Sequence, residues 1–143
     1  MRNVSRSALV PYSASQMYAL VEDVVAYPEF LPWCIGATLH FKDEEIIEAS
    51  LEMQRGAVKK SFTTRNTLQP GLAMGIELVG GPFRHLAGAW QFEQLGEDGS
   101  KVSLQMEFEF EGRVTDALFG RYFEDTCNSL IDSFTQRAHK IYG

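Results

Sequence analysis

The strictest constraint in this chain is an unbroken alternation in its last third. Val102, Leu104, Met106, Phe108 and Phe110 lie two apart, with Ser103, Gln105, Glu107, Glu109 and Glu111 between and after them. Successive side chains of a strand point to opposite faces, so this stretch predicts a strand with one apolar and one wet face. Antiparallel sheets permit such a face, whereas parallel sheets are covered on both sides. After Gly112 the period changes. Phe119, Phe123, Cys127, Leu130, Phe134, Ala138 and Ile141 recur at helical spacing. A helix from Val114 to Tyr142 would extend roughly 40 Å at 1.5 Å per residue, enough to cross a whole sheet. Gly120 within it costs about 1 kcal/mol against Ala, which points to close packing or ligand approach at that position.

The remainder of the chain supplies the other strands. Asn3 to Val10 alternate weakly and stop at Pro11, which suits an edge strand. Ser13 to Gln16 reads as a capping box opening a short helix that carries Met17, Leu20, Val21 and Val24. Pro28 and Pro32 interrupt the next segment, Tyr27 to Trp33, which is therefore a short helix or turn rich in large apolar groups. From Cys34 to Phe110 the period is two. Ile47, Ala49, Leu51 and Met53 form one such face, Met74, Ile76 and Leu78 another, and Leu86, Gly88, Trp90 and Phe92 a third. Turn signals stand at Arg55-Gly56, Pro70-Gly71, Gly80-Gly81-Pro82 and Gly96 to Gly99. The fold class is α+β: a curved antiparallel sheet of about six to seven strands, closed by a long C-terminal helix, with short helices after the first strand. No linker or repeat divides residues 1–143, so one domain is expected.

Charge and cysteine content narrow the function. A net charge of −6 argues against a protein that coats DNA, which needs a surplus of Lys and Arg on one face. The one local basic knot, Lys59-Lys60 with Arg65, leaves RNA contact open. No apolar run approaches the roughly 18–20 residues of a membrane span. Met1-Arg2-Asn3-Val4 leads directly into alternating sequence, unlike a signal or transit peptide. Cys34 and Cys127 form no disulfide framework, and a reduced, cytoplasmic setting is expected. Catalysis finds little support. A Cys/His pair would need Cys34 or Cys127 beside His40, His85 or His139, but Cys127 sits on the inward helical stripe, where a free Cys acts as a small apolar filler. No Cys-x-x-Cys, His-x-His or His-Glu-x-x-His spacing suggests a metal, and Gly80-Gly81-Pro82 lacks the glycine spacing and Lys of a phosphate loop. On the strand from Val58 to Leu68, Phe62, Thr64, Asn66 and Leu68 share one face, and Ser61, Thr63, Arg65 and Thr67 the other. With Phe62 turned inward, Thr64 and Asn66 enter the core as hydrogen-bonding groups.

Several runs in this order resemble the Coq10/RatA family of the START-like (polyketide cyclase/dehydrase, Bet v 1-like) superfamily. They are Leu9-Val-Pro-Tyr-Ser-Ala-Ser-Gln-Met-Tyr-Ala-Leu-Val21, Asp23-Val24, and Tyr27-Pro-Glu-Phe-Leu-Pro-Trp-Cys34. Phe62-Thr-Thr-Arg-Asn66, Gly81-Pro-Phe83, Gly88-Ala-Trp-Gln-Phe92, Phe108-Glu-Phe110 and Ala117-Leu-Phe-Gly-Arg121 continue the match over nearly the whole chain. The resemblance implies a helix-grip fold and two activities. Coq10-type members bind ubiquinone and support respiratory electron transfer without a known reaction, and RatA-type bacterial members bind the large ribosomal subunit and block subunit association. The wider superfamily adds polyketide cyclases, which need an acid or base in the cavity. The chain's length resembles the bacterial form.

The expectation is therefore non-catalytic binding of a hydrophobic ligand, with ubiquinone first, no required cofactor, and transient contact with the inner face of a membrane. Ribosome binding through Lys59, Lys60 and Arg65 is the alternative. The expected ligand-binding residues are Tyr27, Phe30, Leu31 and Trp33 as a mouth or lid, Thr64 and Asn66 as polar partners, and Phe83, Trp90, Phe92, Phe108, Phe110, Phe119 and Phe123 as walls.

Overall fold

The computed structural model describes residues 1–143. Seven strands form a single antiparallel sheet in the order β1-β7-β6-β5-β4-β3-β2. Strand β1 (Arg2–Val10) leads into helix α1 (Ala14–Glu22) and a 3-10 turn (Val24–Glu29). Strands β2 (Cys34–Lys42), β3 (Ile46–Arg55), β4 (Val58–Gln69), β5 (Ala73–Gly80), β6 (Phe83–Leu95) and β7 (Gly99–Phe110) then follow as consecutive hairpins. The chain ends in a one-turn helix α2 (Arg113–Thr115), a π-helical turn (Asp116–Gly120) and the long helix α3 (Arg121–Tyr142). At 1.5 Å per residue α3 reaches about 33 Å.

The local rules explain most of these boundaries. The Ser13 hydroxyl accepts from the Gln16 amide at 3.1 Å, and the Ser13 amide donates to Gln16 Oε1 at 2.9 Å, completing the capping box. Strand β1 lies at one sheet edge, paired only to β7. All five apolar residues of the β7 alternation are buried. Irregular pairing interrupts β2 between Cys34 and Gly36 and between Leu39 and Phe41, and β6 between Phe83 and His85. Such bulges bend a sheet and sharpen its local twist. One hydrophobic core of 33 buried residues fills the space between.

Three expectations are corrected. The C-terminal helix is not continuous from Val114, because a π-helical turn separates α2 from α3. The turn ends at Gly120, where a Cβ would stand 2.6 Å from Asp116 Oδ1 and 2.7 Å from Arg2 Nη2. The Arg2 guanidinium fills that space and bridges to Glu124 at 2.8 Å, so close packing and not ligand approach explains the glycine. The helix stripe is also rotated: Thr126 and Ile131 are buried, Leu130 is only partly so, and Ile141 is exposed. Finally, the segment Tyr27 to Trp33 is no surface lid. Tyr27, Leu31 and Trp33 are buried, and the Tyr27 hydroxyl donates to the Val21 carbonyl. Pro28 lies inside the 3-10 turn and holds it rigid.

Gly88 of β6 allows the closest approach in the sheet. A Cβ there would lie 2.4 Å from the Gln105 carbonyl oxygen and 2.3 Å from Met106 Sδ. The Met side chain can rotate away, but the carbonyl belongs to the backbone of the paired strand. Gly88→Ala is expected to lower stability by about 1–3 kcal/mol, read from urea denaturation. A loss below about 0.5 kcal/mol would show that the β6–β7 pair relaxes freely.

Candidate functional site

Between the sheet and α3 lies an internal cavity of about 80 Å³, bounded by nineteen residues of which sixteen are hydrophobic. One probe-sized water needs about 10–15 Å³ on this measure, so the space takes a small ring or head group and not a long tail. Strands β3 to β7 supply most of the wall, from Ala49 and Leu51 through Phe62, Met74, Ile76, Leu86 and Trp90 to Leu104 and Met106. Helix α3 supplies Phe123, Thr126, Cys127, Leu130 and Phe134, and the 3-10 turn supplies Val24 and Tyr27. The lining residues that are only half-buried, Leu51, Ile76 and Leu130, place the open side between β3–β5 and α3.

The expected site residues divide in two. Tyr27, Trp33, Thr64, Asn66, Trp90 and Phe123 line the cavity. Phe30, Leu31, Phe83, Phe92, Phe108, Phe110 and Phe119 do not, because they pack against one another and against the helix. Phe83 and Phe110 stack at 4.3 Å, Phe108 meets Phe123 edge-on at 4.9 Å, and Phe119 tilts over Phe110 at 6.2 Å. Phe92 stacks on Trp90 at 6.1 Å and meets Tyr18 edge-on. Phe30 meets Phe134 edge-on at 5.2 Å, and the Arg137 guanidinium lies over its ring. Leu31 is wholly enclosed. Sequence reasoning passed over Met74, Met106, Thr126, Cys127 and Phe134. Period two did mark Met74 and Met106 as inward, and the helical stripe marked Cys127 and Phe134. What it lacked was the position of α3 along the sheet, which decides which inward groups meet the void.

Three polar side chains line the cavity: Thr64, Asn66 and Thr126, each more than nine-tenths buried. The Asn66 amide nitrogen donates to Met74 Sδ at 3.6 Å, while its Oδ1 has no hydrogen-bond partner in the protein. Two lining groups titrate. Burial pushes the Cys127 thiol up to about 12 and holds the Tyr27 phenol far above its usual range. Cys34, just outside, is pushed up to about 11 by burial. All three are therefore protonated at neutral pH. The histidines lie elsewhere: His40 on Ser50, His85 on Glu107 and His139 on Tyr12. No three His, Cys, Asp or Glu side chains come together as a metal site.

A seven-stranded sheet gripping one long helix over an apolar cavity is the architecture of START-like proteins. The chain belongs to the polyketide cyclase/dehydrase and lipid transport family, whose model matches residues 10–135, and within it to the Coq10/RatA group. The ribosome association toxin RatA of Vibrio cholerae is 43% identical over 143 residues, covering 100% of this chain and 99% of that protein. The mitochondrial coenzyme Q-binding protein COQ10 of Dictyostelium discoideum is 26% identical over 136 residues, covering 92% of this chain and 66% of that protein. A START superfamily protein from Mycobacterium smegmatis superposes with a TM-score of 0.77 at 19% identity, covering 97% of this chain and 98% of that one, which reflects the shared fold. No helix is long and apolar enough to cross a membrane.

Trp33 separates a lid from a core element. It is 9% exposed and meets Phe123 edge-on at 6.2 Å. Trp33→Ala is expected to cost about 3 kcal/mol or more of unfolding free energy, the range of a buried aromatic. A loss below about 1 kcal/mol in a denaturant titration would return the segment to the role of a lid.

Proposed function

We propose that this protein binds, without chemical change, a hydrophobic molecule with a compact polar head, and that ubiquinone is the first candidate. The observation that supports this reading is the cavity itself: an apolar enclosure with only a few uncharged polar groups in its wall, the usual pattern of a small-molecule site. A transferring enzyme or a cyclase needs an acid or base near its working pH. The lining holds no carboxylate and no histidine, and its thiol and phenol stay protonated. A quinone head suits the volume, and an isoprenoid tail would leave through the side marked by Leu51, Ile76 and Leu130. Contact of that side with a membrane surface during ligand transfer, and a part in respiratory electron transfer, belong to the same proposal. The expected result is that organic extraction of the purified protein followed by mass spectrometry yields a quinone or another lipid. Added quinone should then bind saturably and quench Trp33 or Trp90 fluorescence. Extraction without lipid, together with no saturable binding, overturns the reading.

The second reading, association with the large ribosomal subunit, draws on the similarity to proteins named ribosome association toxin and on the distribution of charge. The basic surface differs from the expected one. Strand alternation sends Lys59 and Arg65 to one face and Lys60 to the other, and Arg65 pairs with Glu48 at 3.2 Å. Several cations outside any ion pair gather at the end of the sheet where β3 turns into β4 and β7 into α2, while Arg6, Lys101 and Lys140 are unpaired elsewhere. There Lys59, Lys60, Arg113 and Arg121 join no ion pair. Arg55 ties the two parts of this end together by donating to the Leu118 carbonyl. Co-sedimentation with large subunits in sucrose gradients is expected to weaken with salt and to be lost on Lys59→Glu with Arg121→Glu. Sedimentation unaffected by both salt and charge reversal removes this reading. Because the cavity and the cationic end are separate surfaces, the two tests do not interfere.

A further inference from the structure

The helical segment that precedes α3 is apolar on both of its faces. Phe119, Gly120 and Phe123 turn into the core, while Arg113, Val114, Ala117, Leu118 and Arg121 are exposed at helical spacing. Val114 is 75% exposed, more than any other large apolar side chain of the protein, and Leu118, one turn on, is 38% exposed. The outward strip therefore has an aliphatic middle and a cation at each end.

The β3–β4 hairpin stands beside this strip and adds charge of the same sign. Arg55 donates to the Leu118 carbonyl, and its guanidinium lies 5.4 Å over the Tyr122 ring. Lys59 and Lys60 follow on the same hairpin, Lys60 in phase with the inward Phe62. Arg55, Lys59, Lys60, Arg113 and Arg121 join no ion pair. Most carboxylates nearby are answered: Arg2 lies 3.6 Å from Asp116 and 2.8 Å from Glu124, and Arg84 lies 3.8 Å from Glu109. Glu52, Glu111 and Asp125 stay unpaired, three acids against those five bases.

We propose that this end of the molecule docks on an anionic lipid bilayer, with Val114 and Leu118 entering the headgroup region and the five cations meeting lipid phosphates. Cations around an outward apolar strip are the pattern of an element that lies in a membrane interface. The ribosomal reading uses the same cations, and the aliphatic pair separates the two partners. RNA takes cations at its phosphates and stacks its open bases on aromatic rings. This face offers RNA no free ring, because Arg55 covers Tyr122. The docking end is also a different surface from the open side of the cavity, so the inference does not depend on the cavity holding a ligand.

Vesicle flotation tests it. The purified protein is expected to float with vesicles of phosphatidylcholine containing about a third phosphatidylglycerol, and to bind pure phosphatidylcholine at least about tenfold more weakly. Val114→Ser with Leu118→Ser keeps every charge and should weaken binding to the mixed vesicles by about tenfold or more. A second readout places the contact. Val114→Cys carrying an NBD fluorophore should brighten and shift to the blue on mixed vesicles, and the buried Cys34 and Cys127 leave the label at that one position. Absence of flotation overturns the inference, as does equal binding to pure phosphatidylcholine. Undiminished binding of the double serine variant, or an NBD spectrum that stays that of water, overturns the aliphatic contact and with it the inference. Large-subunit binding that the serine variant retains, without vesicle binding, assigns this end to RNA instead. Quinone binding is measured without vesicles, so the cavity reading stands or falls apart from these outcomes.

Discussion

The structure depends on the seating of one aromatic ring. Phe123, in the first turn of α3, meets Trp33, Phe62, Phe83, Phe108 and Phe110 at centroid distances between 4.9 and 6.2 Å. These partners come from three strands, β4, β6 and β7, and from the turn before β2. Edge-to-face pairs of this kind add about 0.5–1.5 kcal/mol each beyond the burial of their area. The contact holds the start of α3 against one end of the sheet and leaves the rest of the helix to span the curve. The cavity lies behind this cluster, between it and the next contact of helix with sheet, where Phe134 meets Trp90 edge-on at 5.4 Å.

Much of this was legible in the residues. The alternation from Val102 to Phe110 and the helical stripe from Phe119 specified the two layers, and Ser13 with Gln16 marked the start of α1. Thr64 and Asn66 were legible as inward because they lie in phase with Phe62 and Leu68. Two things were not. Period analysis describes one element at a time, so it cannot tell an inward Phe that fills the core, such as Phe108, from an inward Trp90 that borders a void. That distinction depends on where another element lies above it. Nor does a proline-rich aromatic segment reveal its depth. Tyr27 to Trp33 has the composition of a surface lid, yet the Tyr27 hydroxyl finds a backbone carbonyl inside the fold and the segment sinks. The packing at Gly120 was equally hidden, since the space a side chain would need there is taken by Arg2, far away in the chain.

Strand β4 shows how the fold accommodates a local conflict. Its inward face places Thr64 and Asn66 between Phe62 and Leu68, where apolar residues would pack better. The pairing of β4 with β3 runs through them without a break, and the pairing with β5 shifts register between Thr63 and Thr64. Local rules broken without a structural reason tend to mark functional positions. In this fold the break lies in the wall of the cavity.

The charges are as unevenly placed as the aromatics. Asp43, Glu44 and Glu45 at the β2–β3 turn and Glu97 and Asp98 at the β6–β7 turn crowd one end of the sheet, while Lys59, Lys60, Arg113 and Arg121 stand at the other. Glu109, Glu111, Asp116 and Glu124 also stand near the second end, and Lys42 and Lys101 near the first, so the asymmetry is one of local patches on a net charge of −6. Far from a polyanionic surface the net charge governs, and the approach is repelled. Within about a Debye length, roughly 8 Å at physiological salt, the nearer patch governs instead. The field then turns the molecule so that its cationic end leads. Such a body meets an anionic surface fastest at intermediate ionic strength, where the long-range repulsion is screened and the short-range torque survives. Its orientation on arrival is therefore set before any contact is made.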